Sequence, residues 1–467
     1  MKRREFLRMT GRVAAASAAL PRWMHAQSEI DGLTAKLNVQ EGVSLATLPA
    51  DFTGLSYESA QLANPAFFAA ENAALIALFR ELGSEGVLRL GGGTSEFTAF
   101  TTEEPKGPPL FDAVGPDTSK NVKSDTPLTP LSLRNLRAFL DATNWSCLYG
   151  LNLGRGTAAH AAEEAAAVQQ ILGSRLIAFQ LGNEPDAWRN RYRPATWSYA
   201  DYWKEWSAAR AAVVARVPQA KFAGPDVSNK MAYVTGFAAD VKKNALHDVV
   251  MLTSHYYAMG PAGAKGVTLD KLLAPDPKLV RDLEIAMEAA RSVGLPYRMS
   301  EGNSCWNGGE PGVSNTLASA LWVVDAMLRF ASVGCAGVNL HGGGNGYYTP
   351  IAGSLAGGFT LRPEFFGMKL AREFAGATLV QTNLLCSSDR VSAYVAHKNR
   401  GEMLLAINKT VQPLTMRVPL RKCREHWLLT GPAIDAQDGV TLTRSEGNVA
   451  HGSQLHVPPY SAVLTKS

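Results

Sequence analysis

Eight short apolar runs, each followed by a stretch with apolar residues at helical spacing, organise the chain between residues 53 and 341. The runs are 53–57, 86–90, 146–153, 176–182, 220–224, 248–255, 296–300 and 335–341. Helical spacing marks the intervals Phe67 to Leu82, Leu131 to Ala142, Ala158 to Leu172, Leu279 to Val293 and Thr316 to Val333. A continuous apolar run fits a strand buried on both faces, and its alternation with helices predicts a parallel sheet. Eight repeats over roughly 320 residues predict a closed (β/α)8 barrel, an α/β fold of about 250 residues before insertions. An open doubly wound sheet is disfavoured, because no Gly-x-Gly-x-x-Gly turn follows the first run. Gly91-Gly92-Gly93 reads instead as a tight loop that brings backbone to the barrel mouth.

Past Ala375 the pattern becomes short and alternating: Val391–Ala396, Met403–Ile407, Leu414–Val418, Trp427–Leu429, Val440–Leu442 and Ala462–Thr465. Turn-forming clusters separate these runs, which predicts a second, all-β sandwich domain over 376–467. Thr34–Leu48 alternates too, so residues 28–48 are expected to add a strand to that domain, leaving 49–375 for the barrel. Pro108–Pro130 reads as a long polar loop over the end of the second strand.

The polar residues then fall in one ring. Glu58, Arg89, Asn152, Asn183 with Glu184, Asp226, His255 with Tyr257, Glu301 and His341 all lie at or just past the carboxyl ends of their runs. That is the face on which barrels of this kind carry their chemistry. Glu184 and Glu301 each follow a strand-like run closely and suggest a carboxylate pair.

Charge narrows the partners. Residues 1–27 carry six Lys/Arg and one acid, and without them 40 basic and 40 acidic residues remain. A formally neutral chain has no excess for a nucleic acid or other polyanion. The amino terminus, Lys2-Arg-Arg-Glu-Phe-Leu7 before an Ala-rich Val13–Leu20, is similar to a twin-arginine export signal. A periplasmic or extracellular protein is the expectation, and no later segment reaches the roughly 20 apolar residues of a membrane span. Five scattered cysteines make neither a disulfide framework nor a zinc site, and no cofactor motif is present. Cys147 and Cys335 are expected to pack in strands, and Cys305 lacks the His–Asn support of a thiol nucleophile.

Four segments carry a resemblance: Phe179-Gln-Leu-Gly-Asn-Glu-Pro-Asp186, Ser254-His-Tyr-Tyr257, Ser300-Glu-Gly-Asn-Ser304 and Pro311-Gly-Val-Ser-Asn-Thr316. Together they resemble the signatures of glycoside hydrolase family 79, the heparanase and β-glucuronidase family, from about Phe52 to Leu379. The resemblance implies a retaining hydrolase with Glu184 as acid/base and Glu301 as nucleophile. It also implies a C-terminal β-sandwich containing an N-terminal strand. The expected substrate-contacting set is Glu58, Gly93, Asn183, His255, Tyr257, Trp306, Asn307, Gly308 and Tyr348. In such a pair the ionised nucleophile raises the proton affinity of the acid, and His255 and Tyr257 would orient Glu301. Trp306 stands where family glucuronidases resemble one another in a tyrosine. Exo-cleavage of small glucuronides is therefore the leading expectation. Open beside it are a neutral or 6-deoxy hexoside, a heparanase-like endo-hydrolase, and a non-catalytic carbohydrate-binding protein.

Overall fold

The computed structural model describes residues 32–103, 107–109, 111–116, 125–399, 401–418, 423–447, 450–451 and 454–467. Residues 1–27, expected to be an export signal, lie outside the described residues. Eight parallel strands close a barrel: β2 (Thr53–Glu58), β3 (Val87–Gly91), β4 (Ser146–Leu151), β5 (Leu176–Leu181), β6 (Phe222–Val227), β7 (Val249–Pro261), β8 (Tyr297–Trp306) and β9 (Gly337–Gly342). They neighbour one another in chain order, and β9 pairs with β2 through Val338↔Thr53 to Gly342↔Tyr57. Each of the eight expected runs is one of these strands.

Their burial explains the apolar runs. β2, β3 and β6 are buried at every position, since the barrel interior covers one face and helices the other. The expected helix from Phe67 is shorter than its apolar spacing. α1 spans Ala73–Leu82, because Asn72 accepts from the Leu75 N–H and donates to the Phe67 carbonyl, folding 67–72 into a turn. Two buried arginines are held inside the barrel. Arg298 donates to Asn339 and to the carbonyls of Asp51, Phe52 and Ala336, satisfying its guanidinium at the amino-terminal end. Arg89 serves the opposite end.

Ten further strands form one sheet, and two short two-stranded pairs, Thr98–Phe100 with Thr126–Leu128 and Ile351–Ser354 with Gly358–Leu361, stand apart from it. β1 (Leu33–Thr47) lies at its middle, antiparallel to β10 (Thr378–Cys386) and parallel to β13 (Leu414–Arg417). The amino-terminal strand thus pairs within the sheet of the C-terminal strands. On one side stand β11 (Val391–Lys398), β12 (Gly401–Asn408), β18 (Ser461–Lys466), β14 (Glu425–Thr430) and β15 (Thr441–Glu446); on the other, β17 (Gln454–Val457) and β16 (Ala450–His451). Leu404, Ala406 and Val463 pack with Leu37, Met416 and Leu455 in the domain's own core. The alternate residues Met403, Leu405, Ile407 and Leu464 belong to the core shared with the barrel helices. A period of two therefore bonds the two domains as well as building one of them. Among the described residues no helix is long and apolar enough to cross a membrane.

Candidate active site

The barrel's catalytic-side mouth opens into a cleft of about 800 Å³ lined in part by Glu58, Gly93, Glu184, Tyr257, Glu301, Trp306, Asn307, His341 and Tyr348. The two glutamates reach it by different local devices. Glu301 lies inside β8, where the pairing with β7 slips between Met299↔Ser254 and Glu301↔His255. This extra residue at Ser300 is a bulge, which redirects the following side chain. Glu184 follows β5 in a left-handed conformation (φ 51°, ψ 52°) just before the turn Pro185–Ala187. A non-glycine residue holds such a conformation only where its surroundings fix it. Here its N–H donates to the Asp226 carbonyl (2.9 Å), and its own carbonyl accepts from the Ala187 N–H (2.8 Å). One oxygen from each glutamate and one ring nitrogen of His255 lie within 4.8 Å of one another.

Arg89 organises what lies beneath. Fully buried, it donates to Glu301 Oε2 (2.6 Å), Asp226 Oδ2 (2.5 Å), Asn183 Oδ1 (2.8 Å), Gln180 Oε1 (3.1 Å) and Ser56 Oγ (3.3 Å). Asp226 also accepts from Gln180 and the Ser300 hydroxyl, so its carboxylate is saturated by donors and does not line the cleft. Glu301 Oε1 accepts from the Tyr257 hydroxyl at 2.9 Å. Glu58 Oε2 accepts from the N–H (2.9 Å) and hydroxyl (2.7 Å) of Thr94, and His341 Nε2 stands 3.4 Å from Glu58 Oε1.

These contacts push the proton affinities of the two carboxyls in opposite directions. Burial pushes Glu301 up, but the positive charges of His341, His255 and Arg89 outweigh it and hold the carboxyl down at about 2. Glu184 is raised, chiefly by burial, with the charge of Glu301 adding to it and the His255 hydrogen bond opposing. The expected cause of that rise, the neighbouring carboxylate, is thus real but secondary to desolvation. His255 is pushed up to about 10: burial opposes its charge, and Glu301 and Asp226 prevail. The more readily protonated Glu184 therefore faces the ionised Glu301, with Glu184's side chain 26% exposed at the cleft. Among the described residues, Glu184, His255 and Glu301 are the one group spaced to hold a metal ion. Arg89 already supplies the cation that Glu301 needs, so the arrangement favours a carboxylate pair over a metal site.

Several expected roles change. His255 bonds Glu184 (Nδ1 to Oε1, 3.0 Å) and not Glu301, from which it stands 3.8 Å away; the Tyr257 hydroxyl, not His255, is what hydrogen-bonds Glu301. Asn183 lies outside the cleft lining, its side-chain oxygen taken by Arg89. Gly308 is buried, with its carbonyl accepting the N–H of Tyr347 (2.5 Å) and that of Tyr348. Asn152 belongs to loop structure, accepting from the N–H groups of Arg155 and Gly156. In the triple glycine, Gly92 carries the positive φ (71°) and Gly93 lines the cleft; a Cβ on Gly92 would meet the Glu58 carboxyl at 2.5 Å. Cys305 is buried against the Ser314 hydroxyl, away from the cleft lining.

Sequence reasoning missed residues as well. Arg191, Lys271 and Lys278 line the cleft, so overall neutrality hides a local basic rim. Gln180 had a readable signal, a polar residue within the apolar run of β5. Glu96 had none beyond its place after β3.

No protein-family model matches the chain. It is 26% identical over 360 residues to a β-glucuronidase of Aspergillus niger, a match covering 71% of this chain and 65% of that protein. To a β-glucuronidase of Neurospora crassa it is 26% identical over 376 residues, covering 70% and 65%. The matches therefore span a little under two thirds of these relatives' length. Among solved structures, a 4-O-α-L-rhamnosyl-β-D-glucuronidase from Fusarium oxysporum superposes with a TM-score of 0.73 at 16% identity, covering 93% of this chain and all of that one. A family 51 α-L-arabinofuranosidase from Thermotoga petrophila does so with a TM-score of 0.66 at 14% identity, covering 93% and 100%. The fold is that of barrel glycosidases carrying a β domain.

Proposed function

We propose that the protein is a retaining β-glucuronidase, removing terminal glucuronate from small glycosides by double displacement. The observation that carries the reading is the pair Glu184 and Glu301, close in space and with proton affinities shifted in opposite directions. Retaining enzymes need the two carboxyls about 5–5.5 Å apart, whereas inverting ones leave room for a water between them. Glu301 attacks the anomeric carbon as Glu184 gives its proton to the leaving oxygen. When Glu301 becomes an ester its charge disappears, the proton affinity of Glu184 falls, and Glu184 takes a proton from the water that hydrolyses the ester. His255 stabilises the carboxylate that Glu184 becomes between the steps.

Glucuronate, rather than a neutral sugar, is supported by the two relatives and by the corner after β8. Asn307, Gly308 and Gly309 have successive positive φ values of 65°, 86° and 88°. Among the described residues, the N–H groups of Gly308 and Gly309 donate to no acceptor; both glycines are buried directly after Asn307, which lines the cleft. Grouped backbone donors in a turn suit a carboxylate. Trp306, 45% exposed, borders the same corner and offers one indole N–H. Membership of glycoside hydrolase family 79 belongs to this proposal.

The test is kcat/KM on p-nitrophenyl β-glucuronide, β-glucoside and a 6-deoxyhexoside. Each donor left without its carboxylate costs about 1–3 kcal/mol, so two predict a glucoside slower by roughly 30-fold or more. A glucoside turned over as fast as the glucuronide would show that Trp306 forms a floor for neutral sugars, and would remove the glucuronidase assignment.

Export by the twin-arginine route is proposed with it, on Arg3-Arg4 and the charge asymmetry of residues 1–27. Lys-Lys at these two positions is expected to retain active enzyme in the cytoplasm; unchanged export would point to another route.

A further inference from the structure

Glu96 is a buried carboxylate that the mechanism above does not use. It lies in the turn Gly93–Phe97 after β3, is 1% exposed and does not line the cleft. Its carboxylate accepts three backbone N–H groups. Oε2 takes those of Leu153 (3.1 Å) and Gly154 in the loop after β4, and Oε1 takes that of Asn183 (2.5 Å) in the loop after β5. Gly154 is fitted to this approach, since a Cβ there would stand 2.9 Å from Glu96 Oε2. The carbonyls of the same loop, at Leu153 and Gly154, accept from Arg193 (3.2 and 2.6 Å). Three barrel loops are thus joined at one carboxylate.

The consequence falls on residue 184. Asn183 has its N–H on Glu96, its carbonyl on the Trp188 indole (2.8 Å) and its side chain on Arg89. The next residue is Glu184, whose left-handed backbone must be fixed from outside. We propose that Glu96 is a positioning residue for the acid/base: by holding the Asn183 N–H it keeps the Asn183–Glu184 turn in the conformation that presents the Glu184 carboxyl to the leaving-group oxygen. Glu96 touches neither substrate nor reacting atoms, and it acts through Glu184 alone.

This rests on the two-carboxylate reading and makes a demand that a purely structural role does not. In kcat/KM, which reports the first step, displacing the acid harms only substrates whose leaving group needs a proton. In Glu96→Gln the side chain keeps its shape but has one acceptor oxygen, so either the Asn183 N–H or the Leu153–Gly154 pair meets an amide NH₂. The experiment is kcat/KM for wild type and Glu96→Gln on 4-methylumbelliferyl and 2,4-dinitrophenyl β-glucuronide, with thermal midpoints alongside. Misplacement by about 1 Å costs on the order of 100-fold, and that loss is expected with methylumbelliferone against less than about fivefold with dinitrophenol. Azide should raise kcat of the variant on the activated substrate and leave wild type unchanged. If Glu96→Gln does not fold, Glu96→Asp, which keeps the charge and shortens the reach, replaces it with the same expected pattern. Equal losses on both substrates, or no loss, overturn the inference while the two-carboxylate reading stands. A wild type inactive on both overturns that reading and the inference together.

Discussion

Glu301→Gln is expected to be folded and to lose at least about 10⁴-fold in kcat on every substrate, activated or not, because the atom that bonds the anomeric carbon is gone. No neighbour can substitute. Asp226 shares Arg89 with Glu301, yet it carries donors from Arg89, Gln180 and Ser300 and does not line the cleft. Glu58 lines the cleft but is engaged by both donors of Thr94. Steady-state assays on p-nitrophenyl and 2,4-dinitrophenyl glycosides check this. Activity within tenfold of wild type would place the nucleophile elsewhere.

Glu184→Ala separates the two steps. On a poor leaving group kcat/KM should fall by about 10²–10⁴, the usual scale of general acid catalysis, and on 2,4-dinitrophenyl glycosides by only a few-fold. Hydrolysis of the glycosyl ester then lacks its base, so added azide should increase kcat and yield a glycosyl azide of β configuration. The pH profile follows from the same pair. Glu301 is ionised above about 2 and Glu184 must stay protonated, so wild-type kcat/KM declines as pH rises through a value above the ordinary carboxylate range. In Glu184→Ala with the activated substrate that decline should disappear. Equal losses for good and poor leaving groups, with the basic limb intact, would contradict the role given to Glu184.

The barrel was legible because its strands are buried on both faces, which writes each as an unbroken apolar run such as Leu176–Leu181. The β domain was readable where one face meets its own core and the other the barrel, as in Met403 to Ile407. β10 was not picked out as a run, because Gln381, Thr382 and Asn383 are only half-buried or exposed against a partner strand whose register shifts. The two glutamates could be found because strand ends are positions in sequence as well as in space. What joins them could not. The bulge at Ser300, the left-handed backbone of Glu184 and Asp226, and the reach of Arg89 across four strands are tertiary facts without a local signature. Spacing alone put His255 beside Glu301, and the strand register does set the two opposite each other, but the imidazole bonds Glu184 from the neighbouring strand end. Glu96 is the extreme case, an acid whose three partners are all backbone groups from other loops.

The most direct single measurement is proton NMR of freshly mixed enzyme and p-nitrophenyl β-glucuronide, following the anomeric signals from the first turnover. The proximity of Glu184 and Glu301 predicts that β-glucuronate appears first and the α-anomer only later, by mutarotation. Initial release of α-glucuronate would show that water attacks directly, and would contradict the double displacement on which the account rests.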